Sequence, residues 1–275
     1  MIILVIERLN AILPILYIST TINYGLYFLS AKPAFEKTLR PFLAVTILLH
    51  VFFTLFVSLY YRHFPITTIY ELLSFLALSL AVNYSYIEYR IGVKSTGVFV
   101  LIVISICQTL SSTHRTYSFQ IKPILSNVYV GIHSLAVTFG YTAFIIATLY
   151  GLMYLMLFYN IKSRHFGIIY NRFPSLEELD EMNYRAATIG LFFITISLTF
   201  GALWLSKVRA NTSIFDPKIV VAILTWCIFG IIAMLKRFFR RSGLLTSYIS
   251  LFGFLGIIFS MIIVNIFLPT FHLFF

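Results

Sequence analysis

Long apolar runs separated by short polar connections dominate this sequence. A helix needs about 20 apolar residues to cross about 30 Å of hydrocarbon. Eight runs fit or approach that length: roughly Leu9 to Leu29, Phe42 to Tyr60, Ile66 to Tyr86, Val98 to Leu110, Val128 to Phe158, Ala186 to Leu205, Ile219 to Leu235 and Leu245 to Phe267. The short fourth run is expected to extend back to Gly92. The pattern predicts an all-α polytopic membrane bundle of about eight transmembrane helices, forming a single integral membrane domain over residues 1–275.

Composition supports a membrane protein and excludes a soluble domain. Hydrophobic residues make up 60% of the chain and charged residues 11%, which is more apolar surface than one soluble core buries. The sequence contains no Gly-rich phosphate loop, zinc-protease signature or nucleophile elbow. The net charge of +11 matches anionic lipid head groups. We therefore expect the lipid bilayer as a partner and no nucleic acid.

The distribution of cations predicts the orientation of the chain, because cytoplasmic loops carry an excess of Lys and Arg. The larger group falls on one side: Lys32, Lys37, Arg40, Arg90, Lys94, Lys162, Arg164, Arg172, Arg185, Lys236, Arg237, Arg240 and Arg241. The smaller group falls on the other: Arg8, Arg62, Arg115, Lys122, Lys207, Arg209 and Lys218. The first side is predicted to be cytoplasmic, and both termini are predicted to lie outside.

A polar connection from Gly201 to Trp226 lies between the sixth and seventh runs, on the predicted outer side. Its polar residues include cations and an acidic residue next to a proline: Lys207, Arg209, Asn211, Asp216, Pro217 and Lys218. Tryptophans stand near both of its ends, at Trp204 and Trp226. Such a loop is either a structural turn or a functional segment, and the sequence alone leaves both possibilities open.

The segment before the sixth run reads SLEELDEMNYR. Ser175 is a candidate helix cap with acidic residues in the following turn. We predict a short amphipathic surface helix that uses Leu176, Leu179 and Met182, with a solvated connector as the alternative. Gly190 and Gly201 lie about three turns apart on one face of the sixth run, which allows a close helix neighbour.

Histidines supply the candidate chemistry. His133 begins the fifth run and His272 follows the eighth, so both are predicted on the outer side with the polar loop. Two neutral imidazoles from different helices could bind a haem iron from both sides, with Lys207, Arg209 and Lys218 near the propionates. The alternative is that both histidines anchor helix ends. His63 and Glu71, at the start of the third run, are weaker candidates for a ligand and a hydrogen-bonding anchor.

Four stretches and a terminal histidine occur in a colinear order that resembles the cytochrome c assembly family, whose members include CcsA, CcmC and HemX-like proteins. These stretches are HFPITTIYELLSFLALSLA, IHSLAVTFGYTAF, SLEELDEMNYRAATIGLFFITISLTFGALW and FDPKIVVAILTW. The resemblance implies haem b as cofactor and a tryptophan-rich periplasmic loop that presents haem. It also implies axial ligands at His133 and His272, with loop positions at Trp204, Asp216, Pro217, Lys218, Thr225 and Trp226.

The chain departs from the family pattern within the loop. Phe215, Ser213 and Arg209 stand where tryptophans are usual, so the aromatic surface for the porphyrin is thin. A histidine that some members carry in the seventh run is Met234 here. His50, in the middle of the second run, is a candidate substitute for it at a second haem site.

Three functional hypotheses follow. The resemblance implies a haem-handling component of cytochrome c maturation in the bacterial inner membrane, which presents haem at the periplasmic face for attachment to apocytochrome c. It would act with a CcsB-like membrane partner and do little bond chemistry itself. The second hypothesis is a HemX-like regulatory or scaffold protein that acts through a protein partner. The third is a transporter for another substrate, although the runs show no inverted repeat.

Overall fold

The computed structural model describes residues 2–64, 66, 68–114, 127–208, 217–239 and 243–259. The chain divides into two compact units, Met1–Lys122 and Pro123–Phe275, each of which is described by itself. This grouping rests on contacts between helices and does not test the prediction of a single membrane domain, which stays a prediction.

Every regular element in the described ranges is a helix, as expected where no water is present to satisfy backbone N–H and C=O groups. Unit 1 contains α1 (Ile2–Ser30), α2 (Pro33–Tyr61), α3 (Ile69–Ile91) and α4 (Gly97–His114). Unit 2 contains α5 (Val128–Lys162), α6 (Ile168–Arg172), α7 (Leu176–Val208), α8 (Pro217–Phe239) and α9 (Gly243–Ile258).

These helices confirm the polytopic membrane class. The first seven predicted runs lie on α1 to α5, α7 and α8. Six described helices are long and apolar enough to cross a membrane: α1, α2, α4, α5, α7 and α8. Helix α3, which carries the third run, is not among these six. Helix α9 is apolar but shorter within the described residues, and the rest of the predicted eighth span lies outside them. The short α6 has no counterpart among the predicted runs.

Local capping residues set two helix boundaries differently from the sequence prediction. Gly92, with a φ of +80°, ends α3, a backbone conformation that glycine adopts without a steric penalty. Helix α4 therefore begins at Gly97 and extends forward to His114 rather than back to Gly92. The extension toward Gly92 was wrong because the turn after α3 occupies those residues.

The Ser175 cap is confirmed, but the separate surface helix is not. The Ser175 and Glu178 backbone N–H groups each donate to the other residue's side chain, at 2.9 and 3.2 Å, which is a capping box. The helix that starts there is α7, and it continues without interruption through the sixth apolar run to Val208. Leu179 and Met182 are buried in unit 2, so packing joins the amphipathic segment to the span.

A chain of hydrogen bonds links all four helices inside unit 1. His50 of α2 is fully buried, and its Nδ1 lies 2.9 Å from the Tyr17 hydroxyl of α1. Its Nε2 lies 3.0 Å from the Ser74 hydroxyl of α3, which donates to the Gln108 carbonyl oxygen of α4 at 3.1 Å. Because Ser74 donates to Gln108, His50 Nε2 must donate to Ser74, and Nδ1 of a neutral imidazole then accepts from Tyr17. In that arrangement the chain runs in one direction from Tyr17 to Gln108.

Helix α5 is the centre of unit 2. Within its most apolar window 72% of the residues are buried, against 28% for α7 and 17% for α8. A Cβ added at Gly140 would lie 2.6 Å from Ile194, and one added at Gly190 would collide with Phe144, so α5 and α7 approach closely at these glycines. On α8, Phe229 stacks on Phe144 with ring centroids 3.7 Å apart. The glycine face predicted on the sixth run therefore packs against α5.

The ordered chain in unit 1 predicts that His50→Leu destabilises the protein. The substitution leaves the buried Tyr17 hydroxyl without its acceptor, which costs about 1–3 kcal/mol. We expect a thermal unfolding midpoint in detergent several degrees below that of the native chain. His50→Gln, which can donate and accept, is expected to lose less, and Leu48→Met on the exposed side of α2 is the control. Equal midpoints for His50→Leu and the control would contradict the role of the chain.

Candidate functional site

The candidate site lies at the end of unit 2 where α5 begins and α7 ends, which we call the His133 end. Asn127 caps α5 by accepting from the Tyr129 N–H at 2.9 Å. Tyr129 and Phe200 then place their rings 6.2 Å apart across the two helices. This packing places the first turns of α5 beside the last turns of α7.

His133 lies one turn after Tyr129 and contacts α7 directly. Its Nδ1 is 2.8 Å from the Ser197 carbonyl oxygen and 3.0 Å from the Ser197 hydroxyl oxygen. A Cβ added at Gly201 would lie 3.0 Å from the same nitrogen. The absence of a side chain at Gly201 therefore lets the imidazole reach the backbone of α7.

The contact with Ser197 determines the tautomer of His133. A carbonyl oxygen can only accept, so Nδ1 carries the proton and the lone pair of the neutral ring is on Nε2. Histidines that bind metals have this arrangement, because the second ring nitrogen donates to a backbone carbonyl or a carboxylate and fixes the ring. The donor chemistry of His133 fits an axial haem ligand.

Two further side chains lie on the same part of α7. Trp204 is buried at 6% exposure, one turn beyond Gly201. Lys207 is one turn further and exposed; its Nζ donates to the Tyr129 hydroxyl at 2.6 Å and lies 4.2 Å from the centroid of that ring. The site therefore combines an imidazole, an indole and a cation within about two turns of α7.

Trp226 contacts a different part of α7 from the part that carries Trp204 and Lys207. It is inside α8, where its indole N–H donates to the Thr195 hydroxyl of α7 at 2.8 Å. Thr195 precedes Trp204 by nine residues, or about 13 Å along the helix. The two tryptophans that bracket the polar connection in sequence are thus separated along α7, and the connection between helices is confined to residues 209–216.

Several predicted site positions fall outside the described residues. His272, Asp216 and Arg209 are among them, as is the side chain of Lys218 at the start of α8. The approach of His272 to His133 therefore stays a prediction.

Three of the weaker candidates, His50, His63 and Glu71, are in unit 1, and the fourth, Arg209, lies outside the described residues. Both ring nitrogens of His50 lie within hydrogen-bonding distance of hydroxyls, so binding a metal would require breaking one of those bonds. His63 follows α2 and is partly exposed, with Nδ1 3.1 Å from the Phe64 carbonyl oxygen. Glu71 is buried in the first turn of α3, where its N–H donates to the Thr68 hydroxyl at 3.2 Å.

Sequence reasoning missed Ser197 and Tyr129. Ser197 contributes a backbone carbonyl, which every residue has, and only its position four residues before Gly201 indicates that it faces the same neighbour. Tyr129 could have been found from its position one turn before His133. Because α5 and α7 pack closely, Ser197 accepts a hydrogen bond from His133, and Tyr129 contacts Phe200 and Lys207.

The six described helices that are long and apolar enough to cross a membrane show that this is an integral membrane protein. The model of the cytochrome c assembly protein family matches residues 9–272, and the chain belongs to this family.

Individual relatives agree with the family match. The cytochrome c biogenesis protein CcsA of Prochlorococcus marinus is 26% identical over 275 residues, which covers 91% of this chain and 88% of the relative. CcsA of Guillardia theta is 25% identical over 211 residues, 70% of each chain. Protein HemX of Brevibacillus brevis is 24% identical over 222 residues, 78% of this chain and 80% of the relative. These matches support a role in cytochrome c assembly.

The close contact at Gly201 predicts that Gly201→Leu lowers stability by disturbing His133. An added side chain must displace the imidazole from Ser197, and such overpacking costs roughly 1–3 kcal/mol. Gly131→Leu is the matched control, since a Cβ there would meet nothing within 4 Å. Thermal unfolding in detergent is expected to show a lower midpoint for Gly201→Leu only. A similar fall in both variants would mean that the contact has no special importance.

Proposed function

We propose that this chain binds haem b at the His133 end of unit 2 and holds it for attachment to apocytochrome c. The observation that supports this most strongly is the bond from His133 Nδ1 to the Ser197 carbonyl oxygen, which puts the lone pair on Nε2. Cytochromes c are haem proteins, so membership of the cytochrome c assembly family agrees with a haem site.

The second axial ligand in this proposal is His272, at the end of the family match. Two neutral imidazoles would hold the iron in a six-coordinate site. Haem, when bound, supplies the vinyl groups and the iron. The protein fixes its orientation, while the thioether bonds use the thiols of the apocytochrome.

Charged and aromatic side chains of the same end suit the rest of a haem. Lys207 is exposed next to Tyr129 and can bind a carboxylate, and Arg209 and Lys218 follow in the sequence. Trp204 is a buried aromatic side chain one turn beyond Gly201. The resemblance adds Asp216 and Trp226 as further positions, and Trp226 contacts Thr195, about 13 Å from Trp204 along α7. The distribution of cations supports placing this end on the periplasmic side of a bacterial inner membrane, where a CcsB-like partner and apocytochrome c would meet it.

An absorption spectrum of the purified chain tests this proposal. We expect a low-spin bis-histidine haem spectrum for the native chain. His133→Ala combined with His272→Ala is expected to weaken haem binding at least tenfold, because even changes to groups that only support a ligand cost 10–100-fold in metal affinity. His165→Ala, at an exposed histidine of unit 2, is the control.

Single variants separate the two ligands. His133→Gly is expected to lose the six-coordinate spectrum and to regain it with added imidazole, since free imidazole can enter the vacated position. An unchanged spectrum in the double variant would show that the ligands are elsewhere.

A HemX-like regulatory or scaffold role is the second candidate. The match to HemX covers 78% of this chain, and the first turns of α7 expose Glu177, Glu178 and Glu181 beside the Arg185 ion pair. Such a surface suits a protein partner. Charge reversal within residues 160–185 followed by pull-down distinguishes the roles: loss of a cytosolic partner with c-type cytochromes intact would support regulation.

A further inference from the structure

An apolar groove runs along the surface between α7 and α8, toward the end of unit 2 where α7 begins and α8 ends. We call this the Asp180 end. The groove has a volume of about 400 Å³ and is lined by Tyr184, Leu191, Trp226, Gly230, Ala233, Met234, Arg237 and Phe238. From Trp226 to Phe238 it follows α8 for about 18 Å. Both helices are long and apolar enough to span a membrane, and Met234 and Phe238 of the groove are exposed on the surface of unit 2.

The two cations at the end of α8 have different surroundings. Lys236 donates to Asp180, which also accepts from the Thr246 hydroxyl at 3.2 Å. Arg237 is exposed and makes no hydrogen bond or ion pair with any residue that the structure describes. Its side chain instead lines the end of the groove. Within the described ranges, the guanidinium of Arg237 therefore has no counter-ion.

The floor of the groove allows a long apolar group to lie close to the helix. Gly230 has no side chain, and a Cβ added there would meet only Leu191, at 3.9 Å. Ala233 continues the shallow floor on the next turn. The Thr195 bond holds the Trp226 indole at the far end. The groove is therefore narrow, apolar and fixed at one end, with a positive charge at the other.

We propose that this groove binds one anionic phospholipid, with its phosphate at Arg237 and an acyl chain along Met234, Gly230 and Trp226. The argument is charge complementarity: Arg237 has no partner among the described residues and lies at the end of an apolar groove, in the last turn of a helix long enough to span a membrane. A guanidinium binds phosphate oxygens in a fork. A zwitterionic lipid satisfies the apolar surface equally well but brings its own cation near Arg237. The site is separate from the His133 end and goes beyond the proposed haem function.

Native mass spectrometry of the full chain in detergent tests the proposal. Phosphatidylglycerol and phosphatidylcholine with the same acyl chains are added in turn, and the retained lipid is measured. We expect preferential retention of one phosphatidylglycerol molecule. Arg237→Gln is expected to reduce that preference about fivefold, the effect of one cation near a charged membrane surface. Gly230→Leu, which fills the floor, is expected to reduce retention of both lipids.

The control variant is Arg185→Gln, which removes one arginine charge near the same end from a side chain that is paired with Glu181. It is expected to retain the lipid preference of the native chain. Equal retention of the two lipids by the native chain would overturn the proposal, as would equal losses in Arg185→Gln and Arg237→Gln. A fall in haem absorbance in Arg237→Gln, with lipid retention unchanged, would show that the groove takes haem instead. Unchanged thermal midpoints establish that the variants are folded.

Discussion

The close approach of α5 to α7 is the constraint on which unit 2 depends. Glycines on both helices permit it: Gly140 faces Ile194, Gly190 faces Phe144, and Gly201 faces His133. In a membrane, helices gain little hydrophobic free energy by associating, so close van der Waals packing and hydrogen bonds must hold them together. The same packing that stabilises the pair brings an imidazole onto a backbone carbonyl. The contacts that stabilise the pair and the proposed haem site therefore lie at one helix interface.

Polar side chains provide the second means of holding the helices, and each unit uses them differently. Unit 1 has an ordered chain through His50 at its centre, and its buried Glu88 accepts from Tyr24 at 2.6 Å and from Arg40 at 3.1 Å. In unit 2, Asn183 of α7 donates to the Ala147 carbonyl oxygen of α5 and to the Ser250 hydroxyl of α9, at 2.7 and 2.8 Å. A buried polar group without a partner is costly in hydrocarbon. These bonds therefore specify which helices are neighbours.

The two ends of unit 2 differ in chemistry. The His133 end combines an imidazole, an indole and an exposed lysine, which suits a planar ligand with carboxylates. At the Asp180 end, an ion pair holds α7 to α8, and Arg237 is left beside an apolar groove. Because the two ends are separated along the same helices, the proposed haem ligand His133 and the proposed phosphate ligand Arg237 lie in separate sites. Met234, at the position of a family histidine, lies in the groove rather than near His133.

The sequence by itself determined the class, the family and most helices, because a span in lipid must satisfy its backbone locally and so is encoded in a continuous apolar run. It also placed His133 at the start of a span and two glycines on one helix face. Only the tertiary structure decided that Ser197 accepts from His133, that α7 is one continuous helix, and that Trp226 contacts Thr195, about 13 Å from Trp204 along α7. These depend on partners distant in sequence, which side-chain packing selects and local pattern does not reveal.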